Sequence, residues 1–279
     1  MVFFMRHVGF GKNLSPPKES SIKIIVPKNV IIGDPFELKI YSKKPPSNIQ
    51  LYWLNRKLDL TRLNLDSVTI FLGSDIKKDK PGIKLLTIKY GNKKILKRIY
   101  LKKRKPSITR IQVPRKFSSL SKKDLKRYFR EKRIVESVLF KVTKKRYYEK
   151  DFIPPILPFI ISSPYGRVRI INNKNPSIHT GIDIKAKEGT PVKAINFGIV
   201  ALTMDQFFSG KSIYIDHGYG IVSMYFHLKK ILVKQGQKVK KGQIIALSGK
   251  SGRVSGPHLH LGVSILGKRV DPEKLIKKF

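Results

Sequence analysis

The sequence predicts a mainly β protein, with an N-terminal immunoglobulin-like β-sandwich, a basic helical linker and a C-terminal antiparallel β-sheet domain of barrel-sandwich type. Three observations carry this expectation. Short runs of β-branched and aromatic residues recur about every 8–15 residues through 20–105, with Gly, Pro and Asn turn signals between them. One stretch, after Ser121, repeats apolar residues at helical steps. Beyond residue 159 short apolar runs return between closely spaced glycines. A chain of 279 residues has room for roughly two domains and at least one sizeable core.

In chain order, residues 1–19 are expected to be unstructured. Val2, Phe3, Phe4 and Met5 are apolar, but Arg6 and His7 interrupt them before a signal-peptide core forms, so no clear signal peptide is visible. Within the sandwich, 20–105, the expected strands are Ile22–Val26, Phe36–Tyr41, Ile49–Leu54, Val68–Leu72, Ile83–Tyr90 and Ile95–Leu101, with Trp53 in the core. The linker, 106–150, opens its helix with Ser121 and Asp124 in capping-box spacing. Leu125, Tyr128, Phe129, Val135, Val138, Leu139 and Val142 then form an apolar stripe. Pro154, Pro155 and Pro158 mark the boundary of the C-terminal domain, 151–279. There the stretch from Gly189 resembles the stretch from Gly236, each a glycine turn, a short strand, a second turn and an apolar strand.

Composition removes several classes of function. No cysteine is present, so disulfides and thiolate sites are excluded, and any metal must be held by His, Asp or Glu. No run of about 18 apolar residues exists, and no transmembrane segment is expected. The net charge is +41, of which residues 1–150 contribute +28, and Lys102 to Lys150 alone hold 19 basic and 4 acidic residues. Such a field attracts polyanions, although a solvated helix face is the plainer reading of the linker. No nucleic-acid-binding motif accompanies the charge, so no specific nucleic-acid partner is expected.

The histidines carry the chemistry, because five of the six fall between 179 and 260. His258 and His260 sit two apart in an alternating apolar run, so both imidazoles project from one strand face, roughly 7 Å apart at Cα. His179 and Asp183 lie four apart around Gly181. A straight strand would separate them by about 13 Å, and Gly181 permits the bend that brings them together. His227 closes a third apolar run, while His217 and Asp216 occupy a hairpin signal and read as structural. His179, Asp183 and one of His258 or His260 make a three-ligand N/O set, the complement of a catalytic zinc with one position open. Two histidines remain for proton handling.

These residues resemble the lysostaphin-type (LytM-like) zinc endopeptidases that cut peptidoglycan peptides. The resemblance runs along about 115 residues and rests on Ser163 to Arg167, Gly189 to Val192, Ile215 to Gly220, Val239 to Gln243 and Ser255 to His260. It implies one Zn²⁺ held by His179, Asp183 and His260, with His227 and His258 as the catalytic pair beside the open site. Zinc would bring the pKa of its bound water toward neutrality, and the pair would assist attack on the scissile carbonyl. The division of roles between the two histidines stays open. Arg167, Arg169 and Asn172 are candidates for contacting the peptide. Leu261, where family members often carry an aromatic, and Tyr165, in place of a common Phe, leave the ligand set intact. The resemblance implies a cell-envelope location, periplasmic or extracellular, and peptidoglycan as substrate. The basic linker would then meet anionic envelope polymers. The competing expectation is a non-catalytic module that binds peptidoglycan or regulates an amidase.

Overall fold

The structure, a computed structural model, describes residues 22–42, 48–61, 67–111, 121–171 and 176–276. The expected unstructured segment 1–19, His7 and the candidate contact Asn172 lie outside the described residues.

Two sheets build the N-terminal part. Lys23–Ile25, Phe36–Tyr41 and Ser67–Leu72 form one. Asn29–Ile31, Lys93–Lys102, Gly82–Tyr90, Asn48–Trp53 and Arg56–Thr61 form the other, in that order. Strand alternation sends Leu38, Ile40 and Ile70 from the first sheet to meet Leu51, Leu86, Ile88 and Ile99 from the second in one hydrophobic cluster. Trp53 is buried there as expected, its Nε1 donating to the Gly73 carbonyl at 2.7 Å. The strands Asn29–Ile31 and Arg56–Thr61 were not expected. In the second, charged residues alternate with Leu58 and Leu60, which are fully buried, and the tight turn before it holds Leu54 and Asn55 at positive φ. That backbone is the hairpin solution for two residues between antiparallel strands.

The segment between the sheets is more than a helical linker. Ile108–Ile111 pairs in parallel with Val168–Ile171, which in turn pairs with Pro176–Ile178. The helix spans Lys122–Phe140, and Ser121 Oγ accepts from the Asp124 backbone N–H, as the capping box requires. Its apolar stripe docks only in part. Val135 and Leu139 pack on Tyr214, Val222, Met224 and Phe226, whereas Leu125 and Phe129 stay exposed. Buried Glu131 pairs with Arg127 at 2.7 Å and accepts the Phe207 N–H at 2.9 Å, tying the helix to the 206–210 hairpin.

The C-terminal sheet runs in the order Ile161–Ser163, Ile182–Lys185, His258–Ile265, Ile221–Ile231, Gly210–Gly218, Gly198–Gln206 and Lys238–Val239. Its path is open and does not close into a barrel. The two similar stretches pair with one another: Val192 faces Ala246, and Gly198 faces Val239. Phe71, Tyr148 and Phe152 stand at mutual ring distances of 5.8 Å, and through them one continuous hydrophobic cluster joins the N-terminal sheets to this one. Among the described residues no helix is long and apolar enough to cross a membrane.

His217 is a core residue, as its hairpin position suggests. Its Nδ1 meets the Phe197 carbonyl at 2.6 Å and therefore carries the proton. Its Nε2 meets Ser223 Oγ at 2.7 Å, and the Tyr225 hydroxyl lies 3.1 Å beyond. Burial, outweighing that carbonyl and Asp216, pushes the imidazole down to about 4. The neutral form therefore stabilises the fold, and this contribution is lost as pH falls from about 6.5 toward 4, where the folded protein also takes up the proton. Nitrogen-15 spectra of the histidine rings are expected to show His217 as the Nδ1–H tautomer down to about pH 4. A midpoint near the unperturbed value of about 6.5 would contradict the buried network.

Candidate metal centre

Three adjacent strands present the site. Asp183 lies directly opposite His260 in the pairing of Ile182–Lys185 with His258–Ile265, and His260 lies opposite Phe226 on Ile221–Ile231. Leu259, between the two histidines, is fully buried below, so His258 and His260 share the upper face as their spacing predicts. His179 enters from the loop before the strand that carries Asp183. Its backbone is fixed from both sides, donating to the Arg167 carbonyl at 2.9 Å and accepting from Gly166 N–H at 2.8 Å.

The donors converge. His179 Nε2 is 3.1 Å from Asp183 Oδ1, His260 Nδ1 is 2.8 Å from the same oxygen, and the two ring nitrogens are 3.0 Å apart. Ligands about 2.0–2.1 Å from a tetrahedral zinc stand roughly 3.3 Å from one another, so this triangle is within a few tenths of an ångström of the required size. His179 Nδ1 lies 3.0 Å from the Pro164 carbonyl; donating its proton there leaves the Nε2 lone pair facing the centre. Burial would raise the Asp183 carboxyl, but the adjacent imidazoles of His179 and His260 outweigh it and hold the group well below the usual carboxylate range. A buried carboxylate with two imidazoles is a donor set suited to zinc.

Gly181 does more than permit the bend. A Cβ there would lie 2.5 Å from His260 Nε2 and 2.5 Å from the Leu261 carbonyl oxygen, so only glycine lets the loop pass over the histidine ring.

Two further imidazoles flank the triangle. His258 Nδ1 lies 2.9 Å from the Gly256 carbonyl, and its Nε2 stands 3.7 Å from Asp183 Oδ1. His227 Nδ1 lies 2.9 Å from the Ser251 carbonyl, and its ring is 4.9 Å from that of His258. Each ring can donate Nδ1–H to its carbonyl, which turns Nε2 toward the centre. Burial first, then the neighbouring His260, pushes His227 down to about 4. His227 has φ of 63°, in the left-handed region, where its strand shifts register against its neighbours; this backbone turns its ring to the site.

A groove of about 1210 Å³ crosses the centre and includes His179, Asp183, His227, His258 and His260 in its lining. Arg167 and Arg169 line it, with Lys185, Lys187 and Arg253 adding positive charge. Arg169 also reaches Asp183 Oδ2 at 3.3 Å, so its guanidinium contacts the carboxylate of the triangle. Sequence reasoning missed Phe226, whose ring stacks on His260 at 5.2 Å with the planes 2° apart, and Phe208 on the groove wall. Their apolar neighbours gave no signal separating them from ordinary core residues.

The protein is expected to bind one equivalent of zinc in a titration after chelator treatment, and Asp183→Ala to abolish that binding. Gly181→Ala is expected to weaken it about 10- to 100-fold through displacement of His260, and His227→Ala to retain it. Unchanged zinc affinity in Asp183→Ala would contradict the assignment of the ligands.

The region that carries this geometry is similar to known proteins. Residues 177–272 match the model of peptidase family M23. The peptidoglycan DD-endopeptidase ShyA of Vibrio cholerae is 44% identical over 101 residues, covering 36% of this chain and 24% of that protein. The DD-carboxypeptidase/endopeptidase Mpg of Neisseria meningitidis is 37% identical over 121 residues, covering 43% of this chain and 28% of that protein. The chain thus spans about a quarter of the length of these curated relatives. A crystal structure from Pseudomonas aeruginosa assigned to peptidase M23 superimposes with a TM-score of 0.71 at 26% identity, covering 89% of this chain and 96% of that one. The His179–Asp183–His260 triangle and its flanking histidines thus lie inside the part of this chain that is similar to peptidase family M23.

Proposed function

We propose that the chain is a zinc-dependent endopeptidase of the cell envelope that hydrolyses peptide bonds in peptidoglycan stem peptides or cross-links. The observation that carries this reading is the convergence of His179, Asp183 and His260 at the floor of an open groove, with two imidazoles beside them. The family match and the named activity of relatives such as ShyA support the substrate class.

Zinc bound by the three ligands would supply Lewis acidity, polarising a carbonyl and making water acidic near neutrality. The remaining chemistry belongs to the side chains. Asp183, kept ionised by its two imidazole neighbours, contributes negative charge to the centre. His227, neutral at pH 7 and anchored through Nδ1, offers Nε2 as a proton acceptor. His258, anchored on Gly256, directs its Nε2 into the same space. The pair divides proton removal from water, stabilisation of the developing oxyanion and protonation of the leaving amine. Groove walls from both sides receive an extended peptide, and Arg167, Arg169 and Arg253 offer donors for its carboxylates. Outside the groove, the positive stretch from Lys102 to Lys150 would retain the enzyme on anionic envelope polymers, an attraction that weakens with salt.

Incubation of the zinc-loaded full chain with purified peptidoglycan is expected to release soluble fragments with new amino termini. Chelator should stop the release, and His227→Ala should slow it about 10²–10⁴-fold while zinc stays bound. Zinc bound at one equivalent with no fragments released would favour the binding or amidase-regulating module instead.

A further inference from the structure

The five-stranded sheet of the N-terminal part has an outer face that its alternation does not explain. Inward positions such as Leu51, Leu86, Ile88, Ile99 and Leu101 fill the sandwich and are at most 1% exposed. Their outward neighbours should then be polar. Instead Ile31, Ile83, Leu85, Leu96 and Tyr100 stand outward with 43–64% of their surface in solvent. The pairing register makes them one patch: Ile83 faces Tyr100, Leu85 faces Arg98 and Thr87 faces Leu96. Ile31 lies alongside on the neighbouring parallel strand, opposite Lys102.

Cations frame this patch. Lys89 faces Lys94 at one end, Lys102 lies at the other, and Arg98 stands within it. Lys89 also lies over the Tyr52 ring, 5.2 Å from its centroid. Among the described residues of this face the acidic side chain is Asp59, and Lys57 pairs with it at 2.9 Å. We propose that this sheet face is a docking surface for an anionic lipid bilayer.

The chemistry selects that partner. Exposed aliphatic side chains gain free energy by entering the boundary between headgroups and acyl chains, and Lys and Arg around them meet lipid phosphates while their stems stay apolar. A soluble glycan or nucleic acid would use the cations but would reward neither Ile83, Leu85 nor Leu96. A second copy of the same face would bring like charges together. The patch lies outside the groove and its residues are not those of the metal centre, so the inference stands independently of the proposed reaction.

The test is co-sedimentation of the full chain with vesicles of phosphatidylcholine alone and of phosphatidylcholine with about 30% phosphatidylglycerol. Binding is expected to the anionic vesicles and to be at least tenfold weaker on neutral ones. Leu85→Glu/Leu96→Glu should weaken anionic binding about tenfold or more. Lys234→Glu/Lys238→Glu, exposed in the C-terminal domain, changes net charge twice as much and should leave it within about twofold. In a second measurement, Leu96→Trp should shift its emission to the blue on anionic vesicles, against a constant signal from buried Trp53. Equal losses in the two double variants, or an unshifted Leu96→Trp on sedimenting protein, would show attraction by net charge alone and overturn the proposal.

Discussion

One cross-strand register governs the site. Asp183, His260 and Phe226 lie side by side on three neighbouring strands, and each must point to the same face of the sheet. Because side chains alternate along a strand, a slip of one residue would send His260 into the core and bring Leu259 or Leu261 to the surface. The apolar partners prevent this. Ile182, Ile184, Leu259 and Leu261 are fully buried, so burying the alternate positions fixes the register that turns Asp183 and His260 to the groove face. Packing energy thus holds the polar cluster in place, and the cluster itself need contribute little to stability.

Elements remote from the centre serve the same end. The helix Lys122–Phe140 packs under Met224 and Phe226, and Glu131 holds the Phe207 N–H of the hairpin that carries Phe208 to the groove wall. The same hairpin accepts the His227 N–H at the Ser209 carbonyl, 2.9 Å away. On the other side, Ile108–Ile111 pairs with the strand bearing Arg169, whose guanidinium touches Asp183. Segments that precede the matched region in sequence therefore complete the walls of the site. That fits the similarity to the Pseudomonas aeruginosa structure, which extends over most of the chain.

Much of this was legible in the sequence, for reasons that can be named. His258 and His260 were placed on one face by strand alternation alone, and Ser121 with Asp124 announced the start of the helix. The lysostaphin-type resemblance, rather than spacing, selected His260 over His258 as the ligand. What stayed hidden depends on tertiary geometry. The left-handed backbone at His227 and its anchor on the Ser251 carbonyl are written in no side chain. The strand Arg56–Thr61 was missed because Arg56, Lys57 and Asp59 masked the alternation of Leu58 and Leu60. The run Leu85-Leu86 could not reveal which leucine faces outward, and the outward one belongs to the basic apolar patch. Periodicity marks every apolar position of the helix whether or not a partner surface reaches it, and none reaches Leu125 and Phe129, which stay exposed.

The central claim is that His179, Asp183 and His260 form one zinc site, with His227 and His258 beside it. Anomalous diffraction at the zinc edge from crystals of the zinc-loaded protein tests it most directly. The account predicts one strong peak about 2.0–2.2 Å from His179 Nε2, His260 Nδ1 and a carboxylate oxygen of Asp183, with His227 and His258 outside ligand distance. A peak on His227 or His258 in place of these three, or zinc held only at the surface, would contradict it.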